Sequence, residues 1–418
     1  MNQRSEGITA LLLDYAQAAP PEEMREIMRL SVLDWAACGI AGQAEGTFSR
    51  WAASMPGEGG ATCFDGCARD GARAALMNGT LSHALDYDDT HFAHIGHPSV
   101  VVVSAALAVA EMQGAGLSRM IDAALVGAEA SVAVGLWLGR GHYQIGCHQT
   151  ATAGAFGATV AACRVLGLER QQARHALGLC ATMASGLKGQ FGTMGKPLNA
   201  GLAARTGVEA ASWARAGMTA APDGLAGPSG FGATHHGADE QVGFAWRMGD
   251  VCHKFHACCH GLHAALEAVQ GVDLAAAQRI IVHTHPRWMS VCNEAAPDTG
   301  LGAKFSYAHV LAMLAQGLDT GDIAAFSDAC ATDAALVAFR GRVRVVPDEG
   351  LSEMQARVVV DGVAHFHDLD AAMPLGTRAA RIHAKAQALV GKRAADLWSV
   401  IEGGDLPRFA QLLTPQVV

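Results

Sequence analysis

Apolar residues recur at steps of three and four positions from about residue 7 to residue 250, a period typical of α-helices. The segment "PEEMREIMRLSVLDWAACGIAG" shows this period and opens with proline and acidic residues, as helices often do. Later segments such as "VVVVSAALAVAEMQG" and "TATAGAFGATVAACRVLGL" are apolar nearly all round and rich in Ala and Gly. Helices of that kind are buried on most sides. The pattern therefore predicts an all-helical core.

The pattern changes after Cys252. The segments "AAQRIIVHTHPRWMSVC", "GRVRVVPDEG" and "MQARVVVDGVAHFHDLD" are rich in β-branched residues and partly alternate, which predicts strands of a small sheet. "KFSYAHVLAMLAQG" between them and the tail from residue 378 have the helical period again. We therefore predict a mainly α protein with a large all-α helical domain, residues 1–263 and 372–418, and a smaller α+β domain, residues 264–371. A Gly-rich stretch at residues 222–237 is expected to be a loop.

Charge and composition narrow the class of protein. The formal net charge of −9 argues against nucleic acid, which requires a basic surface, and means that an anionic substrate needs a local positive pocket. The first residues lack the pattern of a signal peptide, and the longest uncharged apolar run, 98–110, is too short to span a bilayer. We therefore expect a cytoplasmic protein with no membrane segment. The eleven cysteines are irregularly spaced and fit small buried residues better than a zinc site.

The stretch "ALDYDDTHFAHIGHPSV", residues 84–100, combines three carboxylates with three histidines in a chain that is 50% hydrophobic. A metal site, an acid/base cluster and a solvated turn with a helix cap at Ser99 all remain open. The spacing fits no standard zinc or calcium loop. Acid/base chemistry needs only that one or two of these groups face a pocket, where neighbouring charges adjust their pKa values.

Two lysines and a tyrosine–histidine pair add candidate chemistry elsewhere. Only six of the thirty basic residues are lysines, and Lys196 in "FGTMGKPLN" is expected to start a helix from a loop, a favourable place to bind an anion. Lys254 lies among histidines and cysteines in "CHKFHACCHGLH". Tyr143 and His148 precede a small-residue helix and are acid/base candidates. Each of these side chains also has an ordinary alternative as a surface charge or a packing residue.

Five ordered segments resemble the MmgE/PrpD family and together span about residue 10 to residue 390. They are "HALDYDDTH" to "GHPS" (83–99), "HYQIGCHQTATAGAFGA" (142–158), "FGTMGKPLNAGLAARTGVEA" (191–210), "KFHACCHGLHAALEA" (254–268) and "AKFSYAHVLAM" (303–313). The family includes 2-methylcitrate dehydratase, cis-aconitate decarboxylase and iminodisuccinate epimerase. The resemblance implies a homodimer, a helical domain with a small α+β lid, an active site in the cleft between these domains, and no metal or organic cofactor.

The resemblance also implies site residues. By motif, Asp86, Thr90 and His97 match the family's catalytic Asp, Thr and His, and His148, Lys196 and Lys254 match its next His and two Lys. We add Tyr143 as a catalytic candidate because "HYQIGCHQTAT" is similar to the epimerase branch. His260 adjoins the place of the decarboxylase's histidine and His309 occupies the place of a common tyrosine, so both are expected to bind substrate. Asp88, Asp89, His91 and His94 are expected to shape the loop.

The family's reactions share one requirement, since each builds negative charge on a carbon next to a carboxylate. The resemblance implies that Lys196 and Lys254 stabilise that charge, that His148 or Tyr143 moves a proton, and that the Asp86/His97 group supplies an acid. We therefore expect proton-transfer chemistry on a small di- or tricarboxylate, with a hydro-lyase of the 2-methylcitrate dehydratase type first. An epimerase or isomerase of an iminodisuccinate-like substrate, a cis-aconitate-type decarboxylase and an inactive carboxylate-binding protein are the alternatives.

Overall fold

A computed structural model of the chain describes residues 7–235 and 241–415. It divides into two compact units, Met1–His253 with Ile382–Val418, and Lys254–Arg381. The predicted domains, 1–263 with 372–418 and 264–371, have their boundaries about ten residues away from these. The chain is mainly α with a smaller α+β part, and this confirms the predicted fold class.

The first unit is built from helices and one short hairpin. Its helices are α1 (Gly7–Gln17), α2 (Glu22–Ala44), α3 (Ser49–Ala53), α4 (Gly71–Ser82), α5 (Pro98–Gln113), α6 (Leu117–Gln144), α7 (Gln149–Leu166), α8 (Arg170–Ala181), α9 (Gly195–Arg215), α10 (Phe231–Thr234), α18 (Arg393–Gly403) and α19 (Leu406–Leu413). The hairpin joins β1 (Ala61–Thr62) to β2 (Ala68–Arg69), and its two-residue strands give no periodic signal in the sequence. The predicted helical succession misses it for that reason.

Small residues allow the central helices of this unit to pack closely. Helices α4, α5, α6, α7 and α9 contact one another. The backbones of α6 and α7 meet at Gly127 and Gly157, where a Cβ added to Gly157 would lie 2.5 Å from the carbonyl oxygen of Gly127. The aliphatic run at the start of α5 is buried, as predicted, with Val100–Val103 showing no exposed surface. These helices fix the loops that carry the candidate site.

The second unit places helices beside a four-stranded sheet. The strands are β3 (Ile280–Thr284), β4 (Val343–Pro347), β5 (Gln355–Val360) and β6 (Val363–Asp368), and the order across the sheet is β4-β3-β5-β6. Strands β3 and β4 are parallel, whereas β3–β5 and β5–β6 are antiparallel. The helices are α11 (His263–Ala268), α12 (Pro286–Val291), α13 (Gly300–Ala303), α14 (Tyr307–Ala315), α15 (Asp328–Ala331) and α16 (Ala334–Arg340). The unit boundary falls within α17 (Leu375–Val390). The predicted strands are present as β3 to β6 and the helix predicted in "KFSYAHVLAMLAQG" as α14, but the second part of the predicted strand segment "AAQRIIVHTHPRWMSVC" is the helix α12.

Helix α6 is long and apolar enough to cross a membrane, although the sequence predicted no membrane segment. Inside the protein, 83% of its apolar window is buried, as in the core helix of a soluble protein.

The Gly-rich stretch 222–237 was expected to be a loop. It contains turns and the four-residue α10, while residues 236–237 lie outside the described part of the chain.

Candidate active site

Three of the predicted site residues lie at the N-terminal ends of three helices that contact one another. His97 is the residue before α5, His148 is the residue before α7, and Lys196 is the second residue of α9, which confirms the predicted helix start at Lys196. Unpaired N–H groups and the helix dipole make such ends locally positive. This clustering gives an acidic protein a place that attracts an anionic group.

Asp86 joins two of these helix ends. Its carboxylate oxygen Oδ1 lies 2.7 Å from Lys196 Nζ and 3.5 Å from His97 Nε2. Asp86 has φ = 51°, a left-handed conformation that costs a residue other than glycine about 1–2 kcal/mol. Its side chain is 34% exposed, the most open position of the group, whereas that of Lys196 is 16% exposed. Asp86 and Lys196 therefore form a charged pair at the accessible side of the cluster.

Asp88 lies at the buried side, between two histidines. One oxygen is 2.9 Å from His83 Nδ1 and the other is 2.8 Å from His97 Nδ1. Burial alone raises the pKa of Asp88, but the two imidazoles outweigh it and hold the pKa well below its usual value. Asp88 is therefore an ionised carboxylate that orients His97. The sequence predicts that Asp88 shapes the loop and tunes its charge, and it does not single out His83 as a partner of Asp88.

The contact with Asp88 sets the proton position on His97. Both ring nitrogens face carboxylates: Nδ1 lies 2.8 Å from Asp88 without hydrogen-bond geometry, and Nε2 lies 3.5 Å from Asp86, whose charge is already paired with Lys196. We infer that the proton is on Nδ1, at the shorter contact with the carboxylate that no ammonium neutralises. Burial is the main cause that lowers the pKa of His97 to about 4, so the ring is neutral at pH 7. Its Nε2 then carries a lone pair and faces Asp86. This arrangement suits a proton acceptor, whereas the sequence-based expectation placed the acid in the Asp86/His97 group.

His148 has the opposite proton arrangement. The Asn199 side-chain nitrogen donates to the Leu187 carbonyl at 3.2 Å and lies 3.1 Å from His148 Nδ1, so Nδ1 accepts and Nε2 carries the proton. Burial, followed by the charge of Lys196, keeps the pKa of His148 well below its ordinary value. His148 is therefore a neutral hydrogen-bond donor, and its ring centre lies 6.3 Å from that of His83. Asn199, which sets this arrangement from α9, was not predicted.

The other titratable groups of the 84–100 segment have structural partners. Ser99 donates its hydroxyl proton to Asp89, and burial is the main cause that raises the pKa of Asp89 to about 7. His91 Nε2 lies 2.9 Å from the Arg247 carbonyl oxygen, and His94 Nε2 lies 2.6 Å from the Ser131 hydroxyl. All three side chains are buried, so the segment is not a solvated turn. The helix begins at Pro98 with His97 before it, and Ser99 is not the cap.

Thr90 and Tyr143 contact groups outside the cluster. The Thr90 N–H donates to the Cys252 carbonyl at 2.8 Å, and its hydroxyl lies 3.3 Å from the same oxygen. Tyr143 is half-buried near the end of α6, where the Lys188 ammonium lies 3.8 Å from the centre of its ring. Catalytic roles for Thr90 and Tyr143 stay predictions.

The second unit holds its own group of buried basic residues. Lys254 is 2% exposed and His260 is 8% exposed, and the ring centre of His260 lies 4.4 Å from that of His263. Burial and the nearby charges of His260, His256 and Lys254 hold the pKa of His263 well below its ordinary value. Substrate binding by Lys254 and His260 stays a prediction.

His309, the remaining substrate-binding candidate, lies at the start of α14. Its Nδ1 accepts hydrogen bonds from the Arg340 guanidinium, with Nη2 at 2.7 Å, and Cys330 Sγ lies 3.9 Å from Nε2. Burial, followed by the Arg340 charge, lowers the pKa of His309 to about 4. Both ring nitrogens thus contact protein groups, and a role in substrate binding stays a prediction.

The central cluster is also compact enough for a metal ion. Ligand atoms of His83, Asp86, Asp88 and His97 all lie within 4.8 Å of one another. Lys196 already brings a positive charge within 2.7 Å of Asp86, and the two imidazoles both contact Asp88 through Nδ1. The cluster therefore balances its carboxylates with protein cations and N–H groups, and a metal would have to displace these contacts.

Comparison with known proteins identifies the family. The MmgE/PrpD N-terminal domain matches residues 6–242, and the MmgE/PrpD C-terminal domain matches residues 256–393. The chain belongs to the MmgE/PrpD family. The resemblance of the five sequence segments is confirmed.

The individual family members that match this chain share 27–32% sequence identity with it over part of their length. A cis-aconitate decarboxylase-like protein of Aspergillus oryzae is 30% identical over 219 residues, which cover 47% of this chain and 45% of that protein. The cis-aconitate decarboxylase of Aspergillus terreus is 27% identical over 57% of this chain and 56% of its own length, and the Homo sapiens enzyme of that name is 32% identical over 38% and 34%. The chain thus spans about half the length or less of these relatives. These matches indicate a family of the dehydratase and decarboxylase type.

Proposed function

We propose that this MmgE/PrpD protein is a cofactor-independent lyase that removes water from a small hydroxy-tricarboxylate of the 2-methylcitrate type. The observation that carries the proposal is the orientation of His97. Its Nδ1 faces the ionised Asp88 at 2.8 Å, and its Nε2 faces the Asp86–Lys196 pair. A neutral imidazole with a lone pair directed at the accessible side of a site can take a proton from a substrate carbon, and the Asp88 carboxylate stabilises the imidazolium that forms.

Substrate binding is assigned to the positive groups around that nitrogen. The Lys196 ammonium and the N-terminal ends of α5, α7 and α9 attract a carboxylate although the chain carries a net charge of −9. A carboxylate held there brings its neighbouring carbon close to His97 Nε2. The cation then also stabilises the negative charge that develops when the carbon loses its proton.

The proposed elimination transfers two protons and breaks one C–O bond. His97 Nε2 takes the proton from the carbon next to the bound carboxylate, and the electrons of that C–H bond form a carbon–carbon double bond. The C–O bond to the neighbouring hydroxyl breaks, and the leaving hydroxide takes a proton from the Lys196 ammonium, which Asp86 holds in place, and departs as water. The Nε2–H of His148 donates a hydrogen bond to the charge that develops on the substrate.

Decarboxylation of a cis-aconitate-like substrate is the second candidate, because curated relatives bear the name cis-aconitate decarboxylase. That reaction breaks a C–C bond, releases carbon dioxide and needs a proton donor to the remaining carbon. An unprotonated His97 Nε2 can take a proton from a carbon but has no proton to donate to one. This favours dehydration over decarboxylation. Epimerisation of an iminodisuccinate-like substrate is a further candidate, in which Tyr143 serves as a second proton-transfer group.

Family membership supports three further proposals. Lys254 and His260 bind the substrate's other carboxylates, Thr90 contributes to the same reaction, and the active protein is a homodimer. Size-exclusion chromatography with light scattering tests the last of these, and a monomer that is fully active would contradict it. Kinetic analysis of Lys254→Ala, with the exposed Lys392→Ala as control, tests the second lysine through a rise in KM.

The test of the proposed reaction is incubation with 2-methylcitrate, citrate, cis-aconitate and iminodisuccinate in heavy water, followed by NMR. We expect loss of water from a hydroxy-tricarboxylate and slow exchange of the abstracted proton. Release of carbon dioxide from cis-aconitate without dehydration would assign the decarboxylase reaction instead. Tight carboxylate binding in calorimetry without turnover or exchange would identify an inactive binding protein.

A further inference from the structure

Lys385 is a buried lysine on α17 that has no place in the mechanism above. Its side chain is 3% exposed, and its Nζ lies 2.5 Å from Asp34 Oδ1 on α2, whose side chain is 2% exposed. A buried ion pair is expensive to desolvate, and a well-packed apolar pair of similar volume usually gives equal or greater stability. Stability alone therefore does not explain a charged pair at this position.

The ammonium of Lys385 makes a second contact that leads to the active site. Its Nζ donates a hydrogen bond to the carbonyl oxygen of Tyr87, and it lies 4.0 Å from the centre of the Tyr87 ring. Tyr87 is 1% exposed and stands between Asp86 and Asp88 in the sequence. Lys385 thus holds the middle of the turn whose two flanking carboxylates contact Lys196 and His97.

The 86–88 turn has an uncommon backbone conformation. Asp86 adopts φ = 51°, which is unfavourable for a residue with a Cβ, and such conformations persist where surrounding contacts fix them. The strained backbone turns the Asp86 side chain towards Lys196, while Asp88, two residues later, points to the buried histidines. A charged donor on the carbonyl between them fixes both directions at once, which an apolar side chain cannot do.

We propose that Lys385, held by Asp34, is a positioning residue for the reaction and fixes the 86–88 turn so that Asp88 orients His97 and Asp86 meets Lys196. This inference rests on the proposed function for its kinetic consequence. Lys385 touches neither the substrate nor the reacting atoms and acts through Tyr87. Burial alone would lower the pKa of Lys385, but Asp34 outweighs it and raises the pKa, so the side chain stays charged.

The test compares three variants with the exposed Lys392→Met as control. Lys385→Met removes the ammonium beside the buried Asp34 carboxylate and is expected to lower the melting temperature. The double variant Lys385→Met/Asp34→Leu removes both charges and is expected to restore the melting temperature. Its kcat should nevertheless remain lower by about 10²-fold with KM changed far less, since small displacements of catalytic groups have effects of that size. Lys385→Arg should recover part of kcat.

A second readout does not depend on any substrate. Amide hydrogen exchange of the peptide that covers residues 84–90 should become about tenfold faster in the double variant, while exchange in α5 and α7 stays unchanged. Wild-type exchange of this peptide in the double variant would overturn the inference, as would a restored kcat at restored stability. If the wild-type protein turns over no carboxylate, the proposed function fails, and the exchange data still decide whether Lys385 holds the turn.

Discussion

The Nδ1 atom of His97 lies 2.8 Å from Oδ2 of Asp88, and both side chains belong to the same 84–100 segment. Asp88 is 1% exposed, and its other oxygen contacts His83. The pair resembles the carboxylate–imidazole arrangement by which enzymes select one histidine tautomer. In the proposed mechanism this pair makes Nε2 the base, and Asp88 is the carboxylate that orients the ring.

Replacement of this carboxylate gives the first prediction. Asp88→Asn should lower kcat by about 10²- to 10⁴-fold, because an amide no longer selects the Nδ1–H tautomer of His97. Steady-state kinetics on the substrate found by NMR measure the loss. Asp14→Asn, at a side chain that is 56% exposed, is the matched control and should be unaffected. Wild-type kcat in Asp88→Asn would exclude the pair from the mechanism.

Lys196 is expected to act in catalysis and not in stability. Lys196→Ala should lose most activity, by about 10²-fold or more, because the developing charge loses its cation. The melting temperature should change by less than about 3 °C, since Asp86 is partly exposed and water can replace the ammonium. Differential scanning calorimetry and kinetics on the same preparation check both. A large fall in melting temperature would show that Lys196 is structural.

Asp89 predicts a pH dependence of stability. Burial raises its pKa to about 7, so the folded protein retains a proton that the unfolded chain releases near pH 4. The stability that this proton contributes is complete below pH 4 and is lost as the pH rises through 7. Asp89→Asn should therefore gain stability relative to the wild type between pH 5 and pH 8, by on the order of 2–4 kcal/mol.

Urea unfolding at the two pH values measures this difference for Asp89→Asn and for the exposed control Asp14→Asn. An equal difference between variant and wild type at pH 5 and pH 8 would mean that Asp89 is ionised throughout. The Asp89→Asn effect should be independent of Glu129, whose pKa is also raised to about 7, because that group is unchanged in the comparison.

The role of metal is tested by removal. Activity should persist after dialysis against EDTA, and elemental analysis of the active protein should find no stoichiometric transition metal. The reason is that Lys196, His83 and His97 already satisfy Asp86 and Asp88. Loss of activity that returns on adding one particular metal would instead assign the four-residue group to a metal ion.

Local sequence signals predicted the parts of this site that depend on neighbouring residues. The proline after Lys196 placed that residue at a helix start, the aliphatic run after Ser99 predicted the buried helix α5, and the family motifs selected Asp86. The partners of His91 and His94 could not be predicted, because Arg247 and Ser131 are 156 and 37 residues away in the sequence. The same holds for Lys385, which contacts a carbonyl 298 residues away.

The contacts that each titratable side chain of residues 84–100 makes in the folded chain distinguish groups that look alike in the sequence. Six such groups in 84–100 look equivalent in the sequence, but in the folded chain Asp86, Asp88 and His97 bring their ligand atoms, together with one of His83, within 4.8 Å of one another. His83 closes this group from the end of α4, and its place at the first position of the "HALDYDD" motif was the available signal. A sequence pattern alone does not show which imidazole nitrogen faces which carboxylate.

The most direct test of the central claim is nitrogen NMR of the His97 ring in the protein labelled with ¹⁵N-histidine. Its signals are assigned among the nineteen histidines by their loss in His97→Gln. We predict a neutral ring with the proton on Nδ1 and a titration midpoint near pH 4. A ring that titrates near pH 6.5, or that carries its proton on Nε2 at pH 7, would contradict the assignment of His97 as the base.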